Sequence, residues 1–330
     1  MGLLGLLPVK ILVIGGAGYI GAHVVNLLQR RGAQVAVVDD LSYGRADRVG
    51  PAEFIRFDVS ADGAVPRLVD VLDGAQAVIH FAARKQVGES MAKPAWYYQQ
   101  NVNGLANVIA AMEQASVNRL VFSSSAAVYG MPDVPTVPED IDLRPINPYG
   151  ETKLIGEWLC RDAERAWGLR SVCLRYFNVA GAGSPTLGDP AVLNLIPMVF
   201  DCLWRGAHPK LFGQDYPTTD GTCVRDYIHV ADLADAHVAA LNYLDRAERP
   251  HQAFNVGTGQ GSSVSEVIAE IGRVSGLDAT PDVEARRPGD PPYLVGNIDR
   301  ISSVLDWHAR YGLSEIVTSA WAAWQHDHVS

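Results

Sequence analysis

Val9-Lys10-Ile11-Leu12-Val13-Ile14, followed at once by Gly15-Gly16-Ala17-Gly18-Tyr19-Ile20-Gly21, is the stretch on which the fold turns. The apolar run reads as a short buried strand, and the glycines at 15, 18 and 21 lead into a helical pattern. Glycines so placed permit a tight turn and let the N–H groups of a helix start approach a pyrophosphate. The motif gains force from its surroundings. A second strand, Gln34-Val35-Ala36-Val37-Val38, ends at Asp39, where a carboxylate accepts hydrogen bonds from an adenosine ribose and repels a 2′-phosphate. The pattern therefore predicts NAD rather than NADP. Asp40 is a second candidate for that acid, and Arg45, close by, is the one feature pulling the other way.

Working outward, strand-like and helix-like segments keep alternating. Phe54-Ile55-Arg56-Phe57, Ala77-Val78-Ile79-His80, Arg119-Leu120-Val121-Phe122 and Ser171-Val172-Cys173-Leu174-Arg175-Tyr176 read as strands three to six. One helical stretch ends near Gly74, a long one runs from about Pro94 to Ala115, and another starts at Tyr149. Such alternation predicts an α/β fold, a Rossmann-type doubly wound parallel sheet. From Asn178 onward, Gly- and Pro-rich loops dominate. We expect residues 1–177 to form an NAD-binding domain, and 178–224 with 257–330 to form a smaller mixed α/β substrate-binding lobe. Residues 225–256, with a helix at 231–245 and a strand at 253–256, are expected to return to the first domain. A cleft between the lobes is the natural ligand site in such an arrangement.

The chemistry concentrates in Pro148-Tyr149-Gly150-Glu151-Thr152-Lys153 and the preceding Ser123-Ser124-Ser125. Pro148 opens a helix, which sets Tyr149 and Lys153 at i and i+4 on one face. A free tyrosine, with a pKa of about 10, is a poor base at neutral pH. A neighbouring ammonium favours the phenolate, and a serine hydroxyl relays the proton. Such a set removes a proton from a substrate alcohol while a nicotinamide takes the hydride.

Composition narrows the remaining classes. At 330 residues and 48% hydrophobic content, the chain has ample length for a core in one large or two modest domains. No apolar run reaches the ~20 residues needed to span a bilayer. A net charge of −10 argues against nucleic acid, and an anionic substrate needs local arginines. The scattered Cys160, Cys173, Cys202 and Cys223 lack metal-ligand spacing and read as reduced thiols of a cytoplasmic protein, with no metal site. Met1–Leu7 is too short for a signal peptide and reads as a frayed or vector-derived terminus. His80 reads as a packed strand-end residue.

Taken together, these residues resemble the nucleotide-sugar epimerases of the extended short-chain dehydrogenase/reductase family over nearly the whole chain. The matching strings are GGAGYIG (15–21), VIHFAA (78–83), VGES (87–90), FSSSAAVYG (122–130), PYGETK (148–153), RYFN (175–178), VRDYIHVADLA (224–234) and RRPGD (286–290). The resemblance implies a redox-neutral reaction with tightly bound NAD. Tyr149 would act as base with Ser125 as its hydroxyl partner at O4, and Lys153 would hold the nicotinamide ribose. Gly15, Gly18, Tyr19, Ile20 and Gly21 would line the pyrophosphate, and Asp39 or Asp40 the adenosine ribose. Asp58 and Val59 would flank the adenine. Phe81, Ala82, Ala83, Lys85 and Phe177 would line the rest of the cofactor. On the substrate side it implies Lys85, Ser125, Tyr149, Asn178, Asn194, Leu195, Leu211, Phe212, Gly213, Arg225, Arg287 and Asp290. Gln100 departs from the family pattern, which has an Asn there that contacts NAD.

The implied partners are UDP-galactose and UDP-glucose, interconverted through a 4-keto sugar. Two readings compete. A 4,6-dehydratase needs an Asp-Glu pair after the catalytic hydroxyl residue, whereas Ala126-Ala127 follows Ser125. A non-catalytic dinucleotide-binding module should lack part of the Ser/Tyr/Lys set, which is complete. In the resembling family, a residue four positions after Asp290 gates N-acetylated sugars such as UDP-GlcNAc. Leu294 stands there, which implies acceptance of such sugars, whereas a register shift by Pro291-Pro292 puts the adjacent Tyr293 in the gate and restricts the site to plain hexoses, the reading slightly favoured. A homodimer is also expected, through the helices at about 95–115 and from Tyr149, with Trp96, Leu105, Ile109, Leu154 and Trp158 supplying apolar surface.

Overall fold

Apolar β-branched residues build the first strand, β1 (Lys10–Ile14), buried along Ile11–Ile14. In the computed structural model, which describes residues 9–246, 250–287 and 289–329, β1 lies inside a seven-stranded sheet. Met1–Leu7 and Pro288 of the RRPGD string lie outside the described residues. The other strands of the sheet are β2 (Gln34–Asp39), β3 (Glu53–Arg56), β4 (Ala75–His80), β5 (Arg119–Ser123), β6 (Arg170–Tyr176) and β10 (His251–Val256). Their order is β10-β6-β5-β4-β1-β2-β3, and the pairings from β3 across to β6 are parallel. The order reverses at β1, so the chain winds outward in both directions from it, as the Rossmann-type expectation requires.

The connecting helices are α1 (Tyr19–Arg30), α2 (Ala64–Val71), α3 (Val87–Ala92), α4 (Pro94–Tyr97), α5 (Gly104–Gln114) and α6 (Pro148–Trp167). The long helix expected from Pro94 to Ala115 is instead interrupted by a π-helical turn, Tyr98–Asn103, between α4 and α5. Helix α6 begins as its sequence dictates: Pro148 occupies its first turn, and the Asn147 side chain accepts from the Gly150 N–H at 2.9 Å. Gly156 lets α6 settle onto β5 and α5. A Cβ there would come within 2.4 Å of the Phe122 ring and 3.1 Å of Leu105. Leu12, Val38, Leu68, Val78, Val108, Leu120, Phe122 and Cys160 belong to one continuous core between sheet and helices.

The chain divides into two compact units. The first comprises Met1–Gly130, Asp142–Arg175 and Ala234–Phe254, and the second Met131–Ile141, Tyr176–Leu233 and Asn255–Ser330. The second contains β7 (Asn178–Ala180), β8 (Lys210–Phe212), β9 (Val224–His229), β11 (Gly261–Ser263), β12 (Asp282–Glu284) and β13 (Tyr293–Leu294). Around these strands lie α7 (Leu195–Trp204), α9 (Val264–Ser275), α10 (Asp299–Leu305) and α11 (Leu313–Val329), while α8 (Val230–Arg246) runs from one unit into the other. Ile196, Phe200, Ile268, Ile271, Val317 and Trp321 belong to the second core.

Two expectations need correcting. Residues 225–256 were to return together to the first domain: their strand at 253–256 does join the large sheet, within β10, but β9 pairs with β7, β11 and β13 in the second unit. Its Asp226 holds it there, buried and accepting from the N–H groups of Thr258, Gly259 and Gly296. Leu105, Ile109 and Leu154, expected on a dimer surface, are buried in their own subunit. Trp158 remains 46% exposed on α6. Among the described residues, no helix is long and apolar enough to cross a membrane.

Candidate active site

The glycine-rich turn is shaped by contacts that only glycine allows. Gly15 has φ +78°, and a Cβ on it would lie 2.6 Å from the Ala82 nitrogen. A Cβ on Gly21 would lie 2.3 Å from the Gly15 carbonyl oxygen. These approaches bring the loop after β1, the loop after β4 and the start of α1 together. Gly18 caps α1 without a side-chain hydrogen bond, and no acid occupies its first turn. The helix start therefore presents N–H groups and a positive dipole end to an anion, the chemistry a pyrophosphate needs.

Asp39 ends β2 with its carboxylate accepting from the N–H groups of Ala17, at 3.0 Å, and Leu41, at 2.8 Å. Burial raises its pKa, and those two bonds oppose the rise. Lone pairs are left over for ribose hydroxyls. Asp40 faces elsewhere, toward Ser42 and Arg84, and its carboxyl is held below the usual range, burial being outweighed by hydrogen bonds to Ser42 and by the Arg84 guanidinium. Asp39 is thus the better ribose acceptor of the two. Asp58 turns back on Ser60, Val59 joins the core, and Phe81 packs against His237 at 4.7 Å. Lys85 is exposed. The glycine cradle and the buried carboxylate fit a dinucleotide.

Ser125, Tyr149 and Lys153 converge in the first unit. Ser125 caps a short 3₁₀ turn, its hydroxyl accepting from the Ala127 N–H at 3.1 Å, and it also hydrogen-bonds the Tyr149 side chain. The Lys153 ammonium donates to the Ser123 carbonyl at 2.8 Å and lies 5.9 Å from the centre of the Tyr149 ring. Burial pushes Tyr149 up from its ordinary value, opposed by the Ser125 bond, and brings Lys153 down to about 7. The expected lowering of Tyr149 by Lys153 is absent from this arrangement, because desolvation dominates and the amine is engaged with Ser123. His80 is buried beside Phe122, with a pKa lowered by burial to about 3, so its ring stays neutral.

Sequence reasoning missed the groups that hold this set in place. Glu157, one turn beyond Lys153, accepts from Ser124 Oγ at 2.6 Å and from Arg175 Nε at 2.8 Å and Nη2 at 2.6 Å. Arg175 also reaches the Tyr129 hydroxyl at 3.1 Å. Asn101, in the π turn, brackets Arg84 through its main-chain N–H (2.7 Å) and C=O (3.0 Å) and donates to Thr152 Oγ1 at 3.0 Å. Glu157 continued the i, i+4 series of Tyr149 and Lys153 and was the one available signal.

In the second unit, Arg225 Nη1 donates to the carbonyls of Val224 and Pro291, and Nη2 approaches Asp290 at 3.4 Å. Arg287 stacks over Phe212 at 3.7 Å from the ring centre. Gly213, at φ +83°, follows Phe212 and bonds the Glu284 carbonyl. Asn178 is exposed on β7, and its side chain hydrogen-bonds Tyr227. Asn194 sits at the start of α7, but its side chain donates to Asp189 instead of capping, and Leu195 is half-buried. Leu211 is 1% exposed within the second core, so its side chain is packing. Phe177 is also buried, against Gly296, whose Cβ would meet its ring at 2.6 Å.

Comparison with known proteins adds the following. The sequence pattern of the NAD dependent epimerase/dehydratase family matches residues 11–257. A UDP-glucose 4-epimerase of Azospirillum brasilense is 44% identical over 318 residues, 94% of this chain and 90% of that protein. The crystal structure of UDP-glucose 4-epimerase from Brucella ovis in complex with NAD superimposes with a TM-score of 0.90 at 41% identity, covering 96% of this chain and 98% of that one. The enzyme from Bifidobacterium longum in complex with NAD⁺ and UDP gives 0.88 at 35% identity, covering 97% and 99%.

The Glu157–Arg175 pair yields a stability prediction. Breaking a buried pair on one side strands a charge and costs about 3–5 kcal/mol, whereas replacing both partners by apolar residues is far milder. Arg175→Met should lower the urea midpoint strongly, and Glu157→Met/Arg175→Met should recover most of the loss. A double variant as unstable as the single one would count against this account.

Proposed function

We infer, from the premise that the chain belongs to the NAD dependent epimerase/dehydratase family, that it interconverts UDP-galactose and UDP-glucose through a 4-keto sugar. The observation that carries the reading is the Ser125–Tyr149–Lys153 constellation in a unit that also holds a glycine-rich turn fit for a dinucleotide. NAD, held by the glycine-rich turn and Asp39, would supply reversible hydride-transfer chemistry, which leaves the overall reaction redox-neutral.

The chain's own residues handle the proton and the geometry. Tyr149 takes the proton from the 4-hydroxyl, and Ser125, hydrogen-bonded to it, holds the same oxygen. Lys153, buried one turn from Tyr149, is assigned to the nicotinamide ribose, and the Ser125 bond is what opposes the upward push of burial on the Tyr149 phenol. Burial brings the Lys153 ammonium down to about 7. The ketone must then present its other face, so firm contacts belong on the nucleotide and few on the hexose. Arg225 and Arg287 are assigned to the diphosphate by charge-assisted hydrogen bonds, and Asp290 to the uridine ribose. Gly15, Gly18, Gly21 and Asp39 are assigned to the cofactor. A 4,6-dehydratase reading is disfavoured because Ala126 and Ala127, which follow Ser125, carry no acid or base. The absence of a long apolar helix among the described residues and the free cysteines support a cytoplasmic enzyme.

Tyr149→Phe should reduce UDP-galactose conversion at least a hundredfold while the dinucleotide stays bound, since only the phenolic oxygen is lost. Near-normal turnover in that variant would remove Tyr149 from its role.

Substrate breadth turns on β13. Leu294 pairs with Arg225 and Tyr293 with Val224, so in this parallel register Leu294 shares the face of the proposed phosphate ligand. This favours Leu294 as the gate and acceptance of UDP-GalNAc. Turnover of UDP-GalNAc by the wild type, reduced tenfold or more in Leu294→Tyr, is the expected outcome. No N-acetyl turnover by the wild type sinks the idea, and an unchanged ratio in the variant shows that Leu294 is not the gate.

A homodimer is proposed through the outer face of α6, where Trp158 stands exposed. Light scattering at micromolar concentration should give twice the 35.6 kDa of one chain. A monomer mass, or a dimer left intact by Trp158→Glu, would remove this interface.

A further inference from the structure

Arg84 belongs to none of the groups assigned above, yet its side chain is only 13% exposed and fully engaged. Its Nη2 donates to Asp40 Oδ2 at 2.9 Å and, with Nε, to Gln100 Oε1 at 2.8 and 3.0 Å. Its Nη1 donates to the Ser42 hydroxyl. The rings of Trp96 and Tyr43 flank it at 5.1 and 5.6 Å. Gln100 then turns its amide NH₂ to Ser60 Oγ at 2.7 Å. One cation thus ties together the segments that leave β2, β3 and β4, and the π turn.

These are carboxyl ends of strands, the edge at which such a sheet takes the adenosine half of a dinucleotide. A free guanidinium at that edge is the general device for holding a 2′-phosphate. Here the guanidinium is saturated by a carboxylate, a carboxamide and a hydroxyl, while Asp39 next door keeps acceptor capacity for ribose hydroxyls.

We propose that Arg84 is a specificity-determining residue for the cofactor: Asp40 and Gln100 hold its charge away from the ribose, and releasing it converts the site toward NADP. The inference rests on the NAD-binding reading above. It also gives Gln100 a task. The longer amide spans from Arg84 to Ser60, a reach in which it differs from the Asn usual at this position.

The test measures binding, not turnover. Cofactor-stripped wild type, Asp40→Asn, Arg84→Leu and Asp40→Asn/Arg84→Leu are titrated with NAD⁺ and with NADP⁺ by calorimetry, and their folding is followed by thermal melting. Asp40→Asn should raise the affinity for NADP⁺ relative to NAD⁺ at least tenfold, and Arg84→Leu in the same chain should abolish that gain. The double variant is decisive, because deleting the Asp40 charge alone also lessens repulsion of a phosphate. A gain that survives in the double variant, or an unchanged ratio in Asp40→Asn, overturns the proposal. If Asp40→Asn melts early, Asp40→Ser is measured against the same double-variant logic. A wild type that binds neither dinucleotide overturns the cofactor reading itself.

Discussion

The arrangement of Ser125, Tyr149 and Lys153 depends on a buried ion pair, Glu157 with Arg175, bonded at two nitrogens and shielded from water. Burying both charges is costly, and only close geometry with every remaining donor and acceptor occupied offsets the desolvation. That condition is approached here: Ser124 satisfies one carboxylate oxygen, and Tyr129 takes a further guanidinium proton. The pair joins α6 to β6, and through Ser124 it reaches the end of β5. Ser125 is the next residue after Ser124, and Tyr149 and Lys153 are the two preceding turns of α6. The three groups proposed to handle the proton thereby inherit their positions from one polar knot beneath them.

The same knot bears on the electrostatics. Glu157 sits four residues from Lys153 on the same helix, the spacing at which a carboxylate and an ammonium ordinarily pair. Arg175 occupies that carboxylate. Lys153 is left with a main-chain carbonyl as its acceptor, and burial lowers its affinity for its proton. A lysine so placed is responsive near neutral pH, whereas one paired to a carboxylate would be fixed in its charged form.

Much of this was legible in the sequence. Gly15, Gly18 and Gly21 after an apolar run, Asp39 at the end of the next strand, and Tyr149 with Lys153 after a proline all carry local, periodic signals, because each depends on residues a few positions away. The signals failed where the deciding partner was remote. The Leu211 side chain belongs to the second core, because residues of distant segments close over it, which leaves its main chain as the part to meet a ligand. The start of the 225–256 segment was placed with the wrong unit because its tie, Asp226, accepts from N–H groups more than 30 residues downstream. The π turn carries no compositional mark. It appears only when Asn101 is seen to reach both the loop after β4 and Thr152 on α6, a task that a regular helix through these residues would set at a different angle.

The route of the chain also has a consequence for its synthesis. It passes back and forth between the two units five times, and the last strand of the large sheet, β10, lies beside β6 at the edge. About 75 residues separate the end of β6 from the start of β10, so at ribosomal speed roughly 4–15 s pass before β10 is made. Until then β6, apolar and with one side unpaired, is an open sheet edge on a tethered chain, the kind of edge that recruits a neighbouring strand. The edge of β6 is therefore most open to a foreign strand while the chain is still being made, before β10 arrives to cover it.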